Sequence, residues 1–231
     1  MSFKGQACLI TGGARGIGKA IAQELLRHGA KCLIGDILIH AGEETCRELG
    51  QEFGNENVGF LRLDVSSHTN FELAIEKCVE RFGKIDVLIN NAGIISEIGW
   101  EAQLQINLLG TIRGCKLGIK CMKMGGMILN ISSNQGLLSW PAMPVYTAGK
   151  TAINAFTRSM GHPVAFQEHG IKICSLCPYA VDTPFQHYVK HCGMSQIRLP
   201  RESFDWHSSN TLRWHYPLDP ILIFFLARGL P

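Results

Sequence analysis

Short apolar segments alternate with amphipathic segments along most of the chain. Six apolar segments, each five to seven residues long, are followed by stretches whose apolar residues recur at helical spacing. The six segments are residues 6–10, 31–35, 58–63, 85–89, 127–131 and 171–177. Strands without polar alternation that are separated by helices favour a parallel sheet covered on both faces, with right-handed crossovers. The pattern therefore predicts an α/β protein with a doubly wound parallel sheet of about six strands.

The length and the composition agree with a single folded domain. A chain of 231 residues can bury about 70% of its unfolded surface in one core. With 46% hydrophobic and 18% charged residues, the composition excludes disordered, collagen-like and coiled-coil proteins. Residues 1–231 are therefore expected to form one domain. The long irregular segment at about 179–217 is typical of a lid or of a disordered loop, and a lid is the prediction.

The charge and the distribution of apolar residues exclude several classes of partner. The formal net charge is +3 and the basic residues are spread along the chain, which argues against nucleic acid as a partner. No segment reaches the roughly 18 apolar residues of a membrane helix, and the first ten residues lack the apolar core of a secretion signal. We therefore expect a cytoplasmic protein without a membrane span, whose nine cysteines are reduced and hold no metal.

A glycine-rich turn follows the first predicted strand and opens a helix. Gly12, Gly16 and Gly18 lie within segment 11–18, where the chain passes from sheet to helix. Glycines at such a turn let the backbone approach a pyrophosphate, which then lies against the N–H groups and the positive dipole end of the helix. The turn predicts a dinucleotide site in a Rossmann-type sheet, although similar glycines also occur in turns that bind nothing.

The second predicted strand ends in an acidic residue, Asp36, which lies 18 residues beyond Gly18. A carboxylate at this place can accept hydrogen bonds from the adenosine ribose hydroxyls, and it repels a 2′-phosphate. Arg15 argues in the opposite direction, because a cation near the adenosine attracts that phosphate. The carboxylate is the closer and more discriminating group, so we predict NAD rather than NADP as the cofactor.

Polar residues also follow the third and fourth predicted strands. Asp64 and Val65 come directly after the third strand, and Asn90 and Asn91 follow the fourth. Ligands of open α/β sheets bind at the carboxyl ends of the strands, so these residues are candidates for the cofactor site. Local alternatives exist, because Asp64 can belong to the cap of the next helix and Asn90 can simply form a turn.

A tyrosine and a lysine form the core of the candidate reactive site. Tyr146 and Lys150 lie four residues apart in segment 145–159, which is predicted to be helical, so both side chains project from one face. Moving the pKa of a tyrosine from about 10 to about 7 requires about 4 kcal/mol of preferential phenolate stabilisation. One cation at about 4 Å supplies roughly that much at an effective dielectric constant of about 20. With Ser133 at the end of the fifth strand, and with the positive charge of an oxidised nicotinamide, the residues predict an alcohol-oxidation site.

Together these motifs resemble the short-chain dehydrogenase/reductase family, although a tyrosine and a lysine at this spacing are more often a surface pair when they occur alone. The motifs are the glycine turn 11–18, residues 90–93, Asn107, Ser133 and Tyr146-x-x-x-Lys150. The resemblance implies that Tyr146 is the base, that Ser133 positions the substrate and that Lys150 binds the nicotinamide ribose. It also implies that Asn107 holds a proton-relay water. The implied cofactor site consists of Gly12, Arg15, Gly16, Ile17, Gly18, Asp36, Asp64, Val65, Asn91, Tyr146, Lys150, Val181 and Thr183.

The resemblance extends to the substrate and to the assembly. Several segments are similar to NAD-dependent family members that oxidise prostaglandin-like hydroxyls. These segments are 100–108, 130–133, 144–146 and 156–159. Met143 stands where those members use a glutamine to orient the hydroxyl, so it joins Ser133 and Tyr146 as a candidate substrate contact. We expect an apolar secondary alcohol or ketone as the substrate, such as a hydroxy-fatty acid, and the resemblance implies a homodimer.

Four departures from the family pattern support a rival hypothesis. Tyr179 stands where the family has a glycine beside the nicotinamide, and it is strained if that position needs a positive φ. Gly149 weakens the predicted helix, Pro163 ends or kinks it, and no seventh strand follows the helix predicted at 218–228. The edge of the sixth strand is therefore expected to be unpaired. The alternative is a catalytically impaired NAD-binding module; a methyltransferase leaves the predicted catalytic residues unexplained.

Overall fold

A computed structural model describes residues 3–179 of the protein, and in this range strands alternate with helical segments. The strands are β1 (Ala7–Thr11), β2 (Lys31–Asp36), β3 (Val58–Arg62), β4 (Val87–Asn90), β5 (Met127–Ile131) and β6 (Lys172–Leu176). The helices are α1 (Gly16–Arg27), α2 (Ile39–Phe53), α3 (His68–Phe82), α4 (Trp100–Leu104), α5 (Gly110–Cys121), α6 (Pro144–Met160) and α7 (Pro163–His169). The strands begin and end within two residues of the apolar segments that predicted them.

The six strands form one parallel sheet in the order β3-β2-β1-β4-β5-β6, which confirms the predicted doubly wound sheet. The chain first builds outward from β1 to β3 and then continues on the other side of β1 with β4. The direction of winding therefore reverses between β1 and β4. Open α/β sheets bind their ligands in the crevice that this reversal creates at the carboxyl ends of the strands.

Apolar layers on both faces of the sheet hold the helices in place. One layer joins Ile10 to Leu25 of α1, and the other joins Leu9 and Leu88 to Phe71 of α3. Neighbouring residues of a strand point to opposite faces, so Leu9 and Ile10 belong to different layers. Burial of a side chain of this size contributes about 1.5–3 kcal/mol. The layers therefore fix the positions of the strand ends from which the site is built.

Helix α6 ends where Pro163 predicts a break. Before that proline, Gly161 lies so close to β6 that an added Cβ would be 2.3 Å from the carbonyl oxygen of Ile173. A separate helix, α7, begins at Pro163, because a proline at the first helical position leaves no N–H group unpaired. Gly149 packs α6 against α4, where an added Cβ would lie 3.3 Å from Leu104 Cδ2. The glycine therefore serves the contact between two helices.

The expected strain at Tyr179 is absent, because only glycines have a positive φ among residues 3–179. Val181, Thr183, the rest of the lid-like segment to residue 217 and the helix predicted at 218–228 lie outside the described residues. In the described part of the chain, β6 pairs with β5 alone. No helix in that part is long and apolar enough to cross a membrane.

Candidate functional site

The predicted site residues converge on the carboxyl edge of the sheet. The glycine turn follows β1, Asp36 ends β2, Asn91 follows β4 and Ser133 follows β5. Tyr146 reaches the same edge from the first turn of α6. The turn and Asp36 thus lie on one side of the reversal point, and the candidate reactive residues lie on the other.

Two glycines of the turn, Gly12 and Gly18, stand where there is no room for a side chain. Gly12 has φ +65° and an added Cβ would lie 2.7 Å from Cα of Ala92, while a Cβ on Gly18 would lie 2.3 Å from the Gly12 carbonyl oxygen. Helix α1 begins at Gly16 without a side-chain cap, and Ile17 is half-buried in its first turn. The first N–H groups of the helix therefore receive no side-chain acceptor at the cap, which fits a site for a pyrophosphate.

Asp36 holds the turn as well as ending β2. Its carboxylate is 8% exposed and accepts hydrogen bonds from the N–H groups of Ala14 and Leu38, both at 3.0 Å. The Thr45 hydroxyl donates to the Ala14 carbonyl oxygen at 2.8 Å, so both the N–H and the carbonyl group of Ala14 are held. Each carboxylate oxygen retains acceptor capacity for a further donor. Arg15, the predicted competitor, is exposed.

Asp64 forms a local turn rather than the helix cap. One carboxylate oxygen accepts from the N–H and the hydroxyl of Ser66, at 2.9 and 2.6 Å, and the hydroxyl is the main reason that the pKa of Asp64 is lowered. Ser67 is the residue that caps α3. Val65 is buried against α5, where an added Cβ on Gly110 would lie 2.9 Å from its Cγ2. The capping alternative for Asp64 is therefore wrong.

The two asparagines after β4 have different surroundings. Asn91 donates to the carbonyl oxygens of Thr11 and Gly12, at 3.0 and 2.8 Å, and so ties β4 to the glycine turn. Asn90 is buried and donates to Oδ1 of Asn130 at 2.9 Å. Among residues 3–179, its own Oδ1 is a buried atom without a hydrogen-bond partner. Both side chains thus join β4 to the neighbouring strands, which a simple turn former does not do.

Asn107 lies in a π-helical turn, Gln105–Leu109, between α4 and α5. Its side chain donates to the Ile94 carbonyl oxygen and accepts from the Ile94 N–H, each at 2.8 Å. Thr111 donates to the Asn107 carbonyl oxygen at 2.7 Å. Turns of this type frequently occur at functional sites. Here the turn fastens Asn107 to the loop that follows β4.

Tyr146 and Ser133 meet at the end of β5. Burial raises the pKa of Tyr146 to about 12, and a hydrogen bond with the Ser133 side chain acts in the opposite direction. The Ser133 oxygen accepts from the Gln135 N–H at 3.2 Å, and the hydroxyl donates to Asn134 Oδ1 at 3.2 Å. The structure therefore brings the two predicted partners into contact, but the surroundings of the phenol favour its protonated form.

Lys150 is buried one turn after Tyr146. Its Nζ donates to the Ile131 carbonyl oxygen at 2.8 Å and lies 5.6 Å from the centroid of the Tyr146 ring. Burial lowers the pKa of Lys150 to about 8. Within the described structure the Tyr146 pKa is not lowered, because desolvation of the phenol outweighs the hydrogen bond with Ser133. The predicted lowering combines Lys150 with the positive charge of an oxidised nicotinamide, and it stays a prediction.

Met143 forms part of an apolar wall beside Tyr146. It is 2% exposed and packs in one cluster with Ile95, Ala142 and Tyr146. The predicted substrate contact thus provides thioether and methyl surface where a glutamine provides an amide. A prostaglandin-like hydroxyl finds no side-chain amide at this position.

Sequence reasoning missed one carboxylate at the site. Glu97, in the loop after β4, accepts hydrogen bonds from the N–H groups of Val145 and Tyr146 at the start of α6. Nothing near Glu97 in the sequence signals this contact, because its partners lie 48 and 49 residues away. The described residues contain no group of three His, Cys, Asp or Glu side chains that could hold a metal ion.

Comparison with known proteins places this geometry in one family. The family profile described as short chain dehydrogenase matches residues 6–192. The chain is 39% identical over 189 residues to the 15-hydroxyprostaglandin dehydrogenase [NAD(+)] of Mus musculus, covering 80% of this chain and 70% of that protein. The Homo sapiens protein of the same name is 35% identical over 236 residues, covering 100% of this chain and 86% of that protein.

A solved structure agrees with this similarity. The alcohol dehydrogenase of the archaeon Thermococcus sibiricus, complexed with 5-hydroxy-NADP, superposes with a TM-score of 0.71 and 33% identity, covering 78% of each chain. The two proteins therefore share their fold over most of this chain. On these similarities the chain belongs to the short chain dehydrogenase family.

Proposed function

We propose that the protein is an NAD-dependent oxidoreductase that moves a hydride between an apolar secondary alcohol and NAD. The observation that carries the proposal is the contact between Tyr146 and Ser133 at the carboxyl end of β5, with the buried amine of Lys150 one helical turn away. Family membership and relatives named as dehydrogenases support it. The proposal includes a homodimer, as the family resemblance implies, and a cytoplasmic location, as the sequence analysis predicts.

Tyr146 is proposed to take the proton of the alcohol. A pKa of about 12 has to fall to about 7, which requires about 7 kcal/mol of phenolate stabilisation. One lysine at about 4 Å supplies roughly 4 kcal/mol, so Lys150 needs a second source of positive charge. When bound, oxidised NAD supplies that charge and accepts the hydride. Ser133 holds the alcohol oxygen next to the phenol, and Asn107 is proposed to hold a relay water.

Asp36 is the basis for proposing NAD rather than NADP. Its carboxylate is fixed by two backbone N–H groups, so it cannot turn away from a 2′-phosphate without breaking both hydrogen bonds. Arg15, which would favour the 2′-phosphate of NADP, has an exposed side chain, unlike the buried carboxylate of Asp36. The names of the mouse and human relatives specify NAD(+), whereas the Thermococcus sibiricus enzyme is complexed with an NADP derivative.

The substrate is proposed to be a hydroxyl on an apolar chain, such as a hydroxy-fatty acid or a prostaglandin-like alcohol. Met143, Ile95 and Ala142 form a buried apolar cluster with Tyr146. Leu137 and Leu138, four and five residues beyond Ser133, are 64% and 66% exposed and add apolar surface near the end of β5. Because Met143 offers no amide, recognition depends on apolar contact and on the two hydroxyls.

One observation favours a second candidate, an NAD-binding protein without turnover. The phenol of Tyr146 has a raised pKa, and the Lys150 amine donates to a backbone carbonyl. These features hold the phenol in its protonated form, whereas the glycine turn and Asp36 remain suited to binding a dinucleotide.

One experiment separates the two candidates. NADH formation is measured with a panel of secondary alcohols of increasing chain length, and NADH binding is followed by its fluorescence. We expect turnover that rises with apolar chain length and a large loss in Ser133→Ala. Ser159→Ala is the matched control, because this hydroxyl is exposed and donates within α6 to the Ala155 carbonyl. NADH binding without turnover of any alcohol would instead support the second candidate.

A further inference from the structure

The helix that carries Tyr146 begins without a cap of its own. Met143 stands at the cap position of α6 without a side-chain hydrogen bond, and the first turn contains no acidic residue. Pro144 has no N–H group, so Val145 and Tyr146 supply the first backbone donors of the helix. Donors at this position have no partner within the helix and need one from elsewhere.

Glu97 supplies that partner from a distant loop. Its Oε2 accepts from the Val145 N–H at 3.1 Å, and its Oε1 accepts from the Tyr146 N–H at 2.9 Å. Each carboxylate oxygen therefore serves one donor, an arrangement that a side-chain amide cannot reproduce because only one of its atoms accepts. The carboxylate also lies at the positive end of the helix dipole, where negative charge is stabilising.

The loop that carries Glu97 is itself fixed. The Ser96 N–H donates to Oε1 of Gln103 at 2.8 Å, and the Gly99 N–H donates to the Ser96 hydroxyl at 2.9 Å. Gln103 is 1% exposed in α4, so the loop is attached to a rigid element on one side of Glu97. Earlier in the same loop, Asn107 holds Ile94 through two hydrogen bonds.

We propose that Glu97 is a positioning residue that sets the placement of the Tyr146 phenol relative to Ser133. The inference rests on the proposed function, in which Tyr146 takes the substrate proton. Lys150 does not depend on Glu97, because its amine is bonded to Ile131 and its carbonyl oxygen accepts from the Ser132 hydroxyl at 3.1 Å. Loss of Glu97 therefore releases the start of α6, including Tyr146, while the proposed ribose contact stays in place.

The test compares Glu97→Ala and Glu97→Gln with the wild-type protein. A displacement of about 1 Å can cost about 100-fold in rate, so Glu97→Ala is expected to lower kcat by about 10-fold to 100-fold. Glu97→Gln keeps one acceptor and is expected to recover part of that loss. The KM for NAD is expected to stay within about twofold. His162→Ala is the matched control, because it removes the cap of α7 and is expected to leave kcat unchanged.

Hydrogen exchange provides a readout that does not depend on turnover. In Glu97→Ala the amides of Val145 and Tyr146 are expected to exchange faster, while those of β5 keep their wild-type rates. A wild-type kcat in Glu97→Ala, or unchanged exchange at both amides, overturns the proposal. If the wild-type protein turns over no alcohol, the proposed function fails, and the exchange rates alone decide whether Glu97 holds the start of α6.

Discussion

Replacing Lys150 with methionine is expected to change how the free energy of unfolding depends on pH. The amine is buried with the Ile131 carbonyl oxygen as its acceptor, and burial lowers its pKa from 10.5 to about 8. Between these two values the unfolded chain binds a proton that the folded chain lacks. Stability therefore rises with pH in this window, because the free energy of unfolding increases wherever the unfolded state binds more protons.

The size of the effect follows from the two pKa values of Lys150. The fall from 10.5 to about 8 corresponds to about 3 kcal/mol of destabilisation when the lysine is charged. About 1 kcal/mol of this is relieved between pH 7 and pH 9, because the folded pKa lies inside that interval. Methionine fills a similar volume without a charge, so the variant lacks this contribution. Burial raises the pKa values of Cys78 and Cys115 to about 12. Both thiols are present in wild type and in Lys150→Met, so their contribution cancels when the two free energies of unfolding are subtracted.

The assay is urea denaturation of wild type, Lys150→Met and the exposed control Lys116→Met at pH 7 and pH 9. We expect the stability of wild type relative to Lys150→Met to rise by about 1 kcal/mol between the two pH values. The difference in stability between wild type and Lys116→Met is expected to be the same at both pH values. If the difference in stability between wild type and Lys150→Met is the same at both pH values, or falls as the pH rises, then burial does not lower the pKa of this lysine and the reasoning is refuted.

Three further predictions concern the site. Tyr146→Phe is expected to lower NADH formation by at least about 100-fold while NADH binding, measured by fluorescence titration, stays nearly intact; near-wild-type kcat contradicts the proposed base. Asp36→Ala is expected to reduce the preference for NAD over NADP by at least about tenfold in equilibrium titrations, which is about 1.4 kcal/mol. It should also lower Tm, because Ala14 and Leu38 lose their acceptor. Met143→Gln is expected to raise kcat/KM for a prostaglandin-like alcohol relative to a simple alkyl alcohol, and equal ratios in both proteins count against Met143 as a substrate contact.

The fold and the positions of the site residues could be predicted from local sequence patterns. A strand is recognised by its own apolar residues, and the turn after β1 by the glycines that its backbone requires. The parallel sheet follows because strands separated by helices have few other ways to pack. Asp36, Asn91 and Ser133 then reach one edge of the sheet because each follows the carboxyl end of a strand. These features can be predicted from a residue and its neighbours in the chain.

The roles of single polar side chains could be predicted less well. Asp64 fits a helix cap by sequence, but Ser67 is the cap and Asp64 binds Ser66. Tyr179 suggests strain by comparison with the family pattern, but it has no positive φ. In both cases the outcome depends on a backbone conformation that residue type alone does not determine.

The tertiary structure decided the electrostatics of the candidate site. Sequence spacing places Lys150 near Tyr146, but the pKa of each depends on how completely other elements exclude water from it. The contact between Glu97 and the start of α6 joins residues 48 and 49 positions apart. Desolvation and long-range hydrogen bonds are properties of the packed chain, since they arise only when distant segments lie against each other. The sequence by itself therefore determined which groups are present at the site, and the packing determined their protonation and placement.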